Sequence, residues 1–186
     1  MTEFPAAFPW TMQQKLTATV TVTNNITGVV NALTNFNGTL VKDGSGLLKI
    51  GLGEAANAGS FTVDGGTLQI LRNGTVGDGE TLSVKALTIR AGATFTMPAG
   101  GLTVNTLTVE NGAILNGDGE LVVLDLAGVT GDALRRLTCT GGAKVRIASG
   151  DDEGQMQLAI PEARVVGHPA FWVRVSCLSG TCRQRG

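Results

Sequence analysis

A repeat of about twenty residues constrains the fold of this chain more than any other feature of its sequence. Thr81–Phe95 (TLSVKALTIRAGATF) aligns without a gap with Gly101–Leu115 (GLTVNTLTVENGAIL), so that equivalent residues lie twenty positions apart. A looser copy precedes them, with Phe61 and Val63 in the place of Leu82 and Val84, and Leu68 and Ile70 in the place of Leu87 and Ile89. The tetrapeptide Gly-Asp-Gly-Glu occurs at 77–80 and again at 117–120. A fixed period of this length predicts structural units that stack on one another, because none can close a core alone.

The apolar residues of each copy alternate with polar ones, which is typical of strands with one buried face. Asn-Gly, Gly-Gly and Asp-Gly pairs separate these strands and supply corners at which the backbone needs a positive φ. We expect strands of about three to five residues, with each apolar residue pointing inward and stacked on its partner twenty positions away. The predicted inward residues of the two clearest copies are Leu82, Val84, Leu87, Ile89, Leu102, Val104, Leu107 and Val109.

These patterns predict an all-β protein, a single-stranded parallel β-solenoid (β-helix) with coils of about 20 residues and a divergent C-terminal β cap. Residues 1–15 are expected to form an N-terminal arm, 16–127 the solenoid repeats, and 128–186 a cap or docking unit in which the repeat has faded. An antiparallel sandwich also uses short strands and frequent turns, but it does not explain why the same positions recur at twenty.

Two segments carry a resemblance to a known family. Gly38–Ile50 (GTLVKDGSGLLKI) is followed, after a variable loop, by Gly59–Ile70 (GSFTVDGGTLQI). This order resembles the repeat of autotransporter passenger domains, a Gly-Leu-x-Lys-x-Gly-x-Gly-x-Leu block, a loop, and then a strand, a turn and Gly-x-Leu. The likeness is close over 38–70 and more general to about residue 126. It implies a parallel β-helix displayed on a cell surface, as an adhesin or as a stalk that carries another activity.

The charge is distributed unevenly along the chain. Residues 1–131 contain six basic and ten acidic residues, a net charge of −4, whereas 132–186 contain eight basic and five acidic residues, a net charge of +3. A nucleic-acid interface needs a denser basic stripe with aromatic stacking partners, so no nucleic-acid partner is expected. No apolar run approaches the length of a membrane helix, so we expect no membrane insertion by this chain.

An enzyme is the first alternative, because parallel β-helices include hydrolases and lyases that cleave polysaccharides. Gly150-Asp151-Asp152 and Gly167-His168 resemble fragments of the polygalacturonase site, but the Asn-Thr-Asp and Arg-Ile-Lys parts of that site are missing. The acidic run at 151–153 is flanked by Gly and is typical of a solvated turn. The cysteines and the single histidine form no close metal-binding pair. We therefore expect no catalytic residue, no cofactor and no metal site.

A ligand-binding or ice-binding solenoid is the second alternative, because a regular array of Thr side chains can match an ordered surface. Thr residues cluster at 17–23, with Thr17, Thr19, Thr21 and Thr23, and again at 103–108, with Thr103, Thr106 and Thr108. In the sequence these rows do not repeat in register at every coil. The preference of Thr for β-strands therefore explains them without a ligand.

The C-terminal segment holds two further candidate features. Cys177 and Cys182 enclose a short Gly-containing loop and are predicted to form a disulfide if the protein is exported, which leaves Cys139 over. Aromatic and Arg residues are common interface anchors. The predicted interface residues are Phe171, Trp172, Arg164 and Arg174.

Together these observations favour a non-catalytic structural or adhesive β-solenoid. We expect it to belong to a cell-surface or particle assembly as an adhesin, a stalk or a fibre-like component. Its expected partners are proteins bound through the solenoid ends or the C-terminal unit, with surface polysaccharide as a further ligand. The expected location is extracellular, at the cell surface or on a virion or other particle.

Overall fold

The structure is a computed structural model, and every regular element that it describes is a β-strand. The described residues are 10–11, 17–24, 26–54, 56, 59–73, 80–125, 137–149, 154–159 and 172–177. The strands form a seven-stranded sheet and a nine-stranded sheet. In the seven-stranded sheet lie β1 (Trp10–Thr11), β3 (Thr27–Thr34), β5 (Leu47–Leu52), β7 (Thr67–Arg72), β9 (Thr94–Thr96), β11 (Ile114–Asn116) and β13 (Thr138–Thr140).

The nine-stranded sheet contains the even-numbered strands up to β14, together with β15 and β16. These are β2 (Thr17–Thr21), β4 (Thr39–Asp43), β6 (Ser60–Val63), β8 (Leu82–Ile89), β10 (Leu102–Val109), β12 (Glu120–Val123), β14 (Lys144–Ser149), β15 (Gly154–Ala159) and β16 (Trp172–Cys177). Successive strands from β1 to β14 thus alternate between the two sheets, so that each coil adds one strand to each, whereas β15 and β16 both follow β14 in the nine-stranded sheet. Neighbours within a sheet pair in parallel, except for the antiparallel pair β15 and β16. The fold is therefore an all-β parallel solenoid of about five turns, with coils of about 20 residues.

The predicted stacking of the two clearest copies is confirmed. Strands β8 and β10 pair in register over their whole length, so that Leu82 lies beside Leu102 and Ile89 beside Val109. All eight predicted inward residues are buried. Burial of these apolar ladders is the main driving force for stacking one coil on the next.

The register of the looser copy differs from the sequence alignment. The alignment placed Phe61 and Val63 opposite the first half of β8, but Phe61 pairs with Leu87, in its second half. The reason is a longer connection, because Ser60 pairs with Ala86, 26 positions on. Strand β8 is also longer than expected, with eight residues in one strand. The alternation of inward and outward side chains along β8 is interrupted at Lys85 and Ala86, two consecutive residues of which neither is fully buried.

Aromatic packing and two glycines close the N-terminal part of the core. The rings of Phe36 and Phe61 lie with centroids 5.4 Å apart. A Cβ at Gly59 would lie 1.9 Å from Cδ1 of Phe36, so only Gly fits beneath that ring. Gly44 has a φ of +76°, and its missing side chain leaves room for the carbonyl oxygen of Val22. These positions require Gly for close approach and for a left-handed corner.

The parallel ladders continue beyond residue 127. Strand β13 pairs with β11, and β14 pairs with β12, each in the same parallel sense as the preceding coils. Strand β16 then pairs with β14, and β15 is the edge strand at this end of the nine-stranded sheet. The division into an arm at 1–15, a solenoid at 16–127 and a cap or docking unit at 128–186 stays a prediction.

Candidate functional site

The outer face of the nine-stranded sheet carries two columns of aligned side chains across β2, β4, β6, β8 and β10. The first column consists of Thr17, Thr39, Ser60, Ala86 and Thr106. The second column consists of Thr19, Val41, Thr62, Thr88 and Thr108. We call these ten residues the hydroxyl array. All of them are exposed or half-buried, because their strand neighbours point into the core.

The chemistry of the hydroxyl array is uniform. Seven of its positions are Thr, the others are Ser60, Ala86 and Val41, and none carries a charge. Every strand contributes at least one hydroxyl group. The inward residues of the same strands include Leu40, Phe61 and Leu87, which are at most 4% exposed. The array therefore rests on a packed core.

The expectation that the Thr rows do not repeat at every coil is confirmed, because Ala86 interrupts the first column and Val41 the second. Strand pairing nevertheless aligns the remaining hydroxyl residues across five strands, although Thr39 pairs with Ser60, 21 positions on, and Ser60 with Ala86, 26 positions on. Unequal connections shift the Thr residues in the sequence while strand pairing restores their alignment. Among the Thr residues singled out in the sequence, Thr103 lies outside the array, beside Ser83 in the other half of β8. Thr21 lies opposite Asp43, at the border of the array.

A row of charged residues borders the array where β6, β8 and β10 end. The guanidinium of Arg90 lies between two carboxylates, with its Nε 3.3 Å from Oδ1 of Asp64 and its Nη1 bound to Oε1 of Glu110. The Arg90 hydrogen bond, together with one from the backbone N–H of Ala91, holds the pKa of Glu110 below its usual value. The bond to Glu110 raises the pKa of Arg90. This exposed row links three successive coils.

Lys42 is the one charged residue among the buried positions that the structure describes. It occupies an inward position of the nine-stranded sheet, in register with Val20 on one side and Val63 on the other. Its side chain is 0% exposed. Nζ donates to the carbonyl oxygens of Asp43 at 2.9 Å, Gly44 at 2.6 Å and Gly65 at 2.9 Å.

The three carbonyls around Lys42 belong to the corners of two successive coils. The ammonium group therefore joins these corners from inside the core, since each of its three donors has an acceptor. Burial lowers the pKa of Lys42, while the neighbouring Asp43 carboxylate acts in the opposite direction. Lys42 is also the Lys of the Gly-Leu-x-Lys-like block in the sequence. The structure gives it a role in holding coils together, which sequence reasoning did not assign.

The predicted disulfide and interface lie largely outside the described residues. Phe171, Arg164 and Cys182 fall there, as do Asp151, Asp152 and His168 of the enzyme alternative. Trp172, Arg174 and Cys177 lie in β16, with their backbones opposite Ala159, Gln157 and Gly154 of β15. The disulfide and the interface stay predictions. Cys139 is a free, buried cysteine whose pKa burial raises to about 12.

The acidic corner at 117–120 contains an ion pair to the next coil. Oε2 of Glu120 accepts a hydrogen bond from Nε of Arg146 at 2.9 Å, while Asp118 is exposed. Within the described ranges, no group of three or more His, Cys, Asp or Glu side chains could hold a metal ion. In the same ranges, no helix has the length and hydropathy to cross a membrane.

The fold defines the class of this protein as a parallel β-solenoid. Comparisons with protein-family models, curated proteins and solved structures found no match to the chain. The stacked coils and their outer faces are therefore the features of the molecule that bear on its function.

Proposed function

We propose that this chain is a non-catalytic structural or adhesive β-solenoid in a cell-surface or particle assembly. The observation that carries the proposal is the unbroken parallel ladder, in which each coil repeats the inward packing of the one before it. Such a ladder extends a rigid rod by repetition and presents its side chains on regular outer faces. An adhesin, a stalk or a fibre-like component uses both properties.

The resemblance of residues 38–126 to autotransporter passenger repeats supports display outside the cell. Sheet edges lie at the ends of the rod, with β1 and β2 at one end and β15 at the other. Edge strands promote association unless they are covered, so the ends favour protein partners. The opposite net charges of 1–131 and 132–186 would steer such contacts. Phe171, Trp172, Arg164 and Arg174 are the proposed anchors of the C-terminal unit.

Surface labelling tests the proposed location. An antibody against the purified chain is applied to intact source cells or particles and to the same material after permeabilisation. The proposal expects labelling of intact surfaces and loss of the antigen after brief external proteolysis. Labelling that requires permeabilisation would contradict a surface or particle location.

A carbohydrate-active β-helix is the competing function, and a separate assay tests it. The purified full chain is incubated with neutral and acidic polysaccharides, and new reducing ends and unsaturated uronic products are measured. We expect neither product. Cleavage that disappears when the chain is heat-unfolded would establish a hydrolase or lyase in place of the structural role.

A further inference from the structure

We propose that the hydroxyl array is an ice-binding surface whose ligand is the ordered outer layer of water in an ice crystal. This inference is independent of the proposed surface assembly. Adjacent parallel strands lie about 4.8 Å apart, and next-but-one residues along a strand lie about 6.6 Å apart. Five strands with two outward positions each therefore form a grid about 19 Å long.

A two-dimensional grid matters because ice is itself a periodic surface. Its oxygen rows on prism faces repeat in two perpendicular directions at distances close to the two spacings of a parallel sheet. One hydroxyl–water hydrogen bond adds little net free energy, because liquid water offers the same bond. When a rigid body makes many such contacts at once, their free energies sum to a useful affinity, because the first contact positions the other hydroxyl groups for theirs. The in-register columns satisfy this condition across five strands.

The side chains of the hydroxyl array suit ordered water. A Thr hydroxyl donates one hydrogen bond and accepts others, as a water molecule does. Branching at Cβ restricts χ1, so the hydroxyl and methyl groups of Thr lose little freedom when they contact a lattice. The array has no charged residue that would hold its own mobile hydration shell, and Arg90 with its carboxylate partners stays at the border.

The same composition disfavours a protein as the occupant of this face. Protein interfaces are anchored by Trp, Tyr and Arg, and their centres are enriched in aromatic residues. The ten positions contain no aromatic side chain and no Arg. Rigid support is a second, independent feature, since inward neighbours such as Phe61, Ile89 and Leu107 are 0% exposed.

Ice-growth measurements on the full chain test the inference directly. Thermal hysteresis and inhibition of ice recrystallisation are measured for the unaltered protein at increasing concentration. The proposal expects both activities, together with faceted crystals. A folded protein that shows neither hysteresis nor inhibition of recrystallisation would overturn it.

Matched substitutions assign the activity to a face. Thr62→Lys and Thr88→Lys each place a charge at the centre of the array, whereas Thr94→Lys makes the same change at an outward position of the other sheet. Circular dichroism confirms that each variant folds. We expect Thr62→Lys or Thr88→Lys to lose most of the hysteresis and Thr94→Lys to retain it. Equal activity in all three folded variants would show that the array is not the binding surface.

Discussion

Lys42 is the residue at which this fold departs most from an apolar solenoid core. A buried charge is unfavourable unless its donors are satisfied, and here three backbone carbonyls accept from Nζ. The acceptors lie at the last residue of β4 and in the corners that follow β4 and β6, so the side chain connects two coils. The sequence predicted an apolar ladder but not that Lys42 would lie within it. Alternation assigns Lys42 to the inward face only once the register of β4 with its neighbouring strands is known.

Replacing Lys42 with Met tests this role. Met fills a similar volume but donates no hydrogen bond, and leaving a buried acceptor unpaired costs about 1–3 kcal/mol. We expect the free energy of unfolding to fall by about 3 kcal/mol, measured by urea denaturation. Lys49→Met, at a half-buried outward position of β5, removes the same charge and serves as control. Equal stability of the two variants would mean that the three bonds do not hold the coils together.

The three cysteines differ in their expected reactivity. Cys139 is 4% exposed, and burial raises its pKa to about 12, so the native protein holds almost no thiolate there. We expect no alkylation of Cys139 at pH 8 until the chain is unfolded. If Cys177 and Cys182 form the predicted disulfide, mass spectrometry of unfolded, non-reduced protein finds one label, and reduction raises this to three. Labelling of Cys177 and Cys182 without reduction would refute the disulfide.

At the scale of elements, the paired strands β8 and β10 form the best-defined part of the ladder. Their inward residues were predictable because the two copies have equal length, so that alternation and a gap-free alignment agree. The pairing of β6 with β8 was not predictable in the same way. Its register depends on a longer connection whose path the local pattern does not specify.

Leu107→Asp tests the buried ladder of β10. Leu107 is 0% exposed and pairs with Leu87, so the substitution buries an unpaired charge that costs several kcal/mol. We expect the variant to be largely unfolded by circular dichroism at room temperature. Thr106→Asp, at the adjacent outward position, introduces the same side chain and should remain folded. A folded Leu107→Asp protein of normal stability would contradict an inward Leu107.

The charged row that links β6, β8 and β10 makes a prediction about pH. Because the folded-state pKa of Glu110 is lowered, its contribution to stability is present above its unfolded pKa and is lost as pH falls through the folded value. Glu110→Gln should therefore lose less stability than the unaltered protein over this acid range, as followed by melting temperature. Asp118→Asn, in an exposed turn, is the control. If the melting temperature of Glu110→Gln fell with pH as steeply as that of the unaltered chain, the ion pair between Arg90 and Glu110 would have no role in the acid dependence of stability.

At the scale of the whole molecule, a repeat of about twenty residues was enough to predict a parallel all-β solenoid. It was not enough to predict the hydroxyl array. Thr17 and Thr19 were visible as a cluster, but Ser60 and Thr88 join them only through pairings that span unequal connections. Strand register converts scattered Thr residues into columns, and a single sequence does not determine that register.

Crosslinking between β6 and β8 measures this register most directly. The structure pairs Thr62 with Thr88, whereas the sequence alignment placed Thr62 opposite Ser83. Neighbouring strands lie about 4.8 Å apart, within the Cα–Cα range of roughly 4.4–6.8 Å that a disulfide spans. Two double variants, Thr62→Cys with Thr88→Cys and Thr62→Cys with Ser83→Cys, are oxidised and mapped by non-reducing peptide mass spectrometry. The parallel solenoid predicts a disulfide in the first variant and not in the second, and the reverse result would contradict the aligned columns.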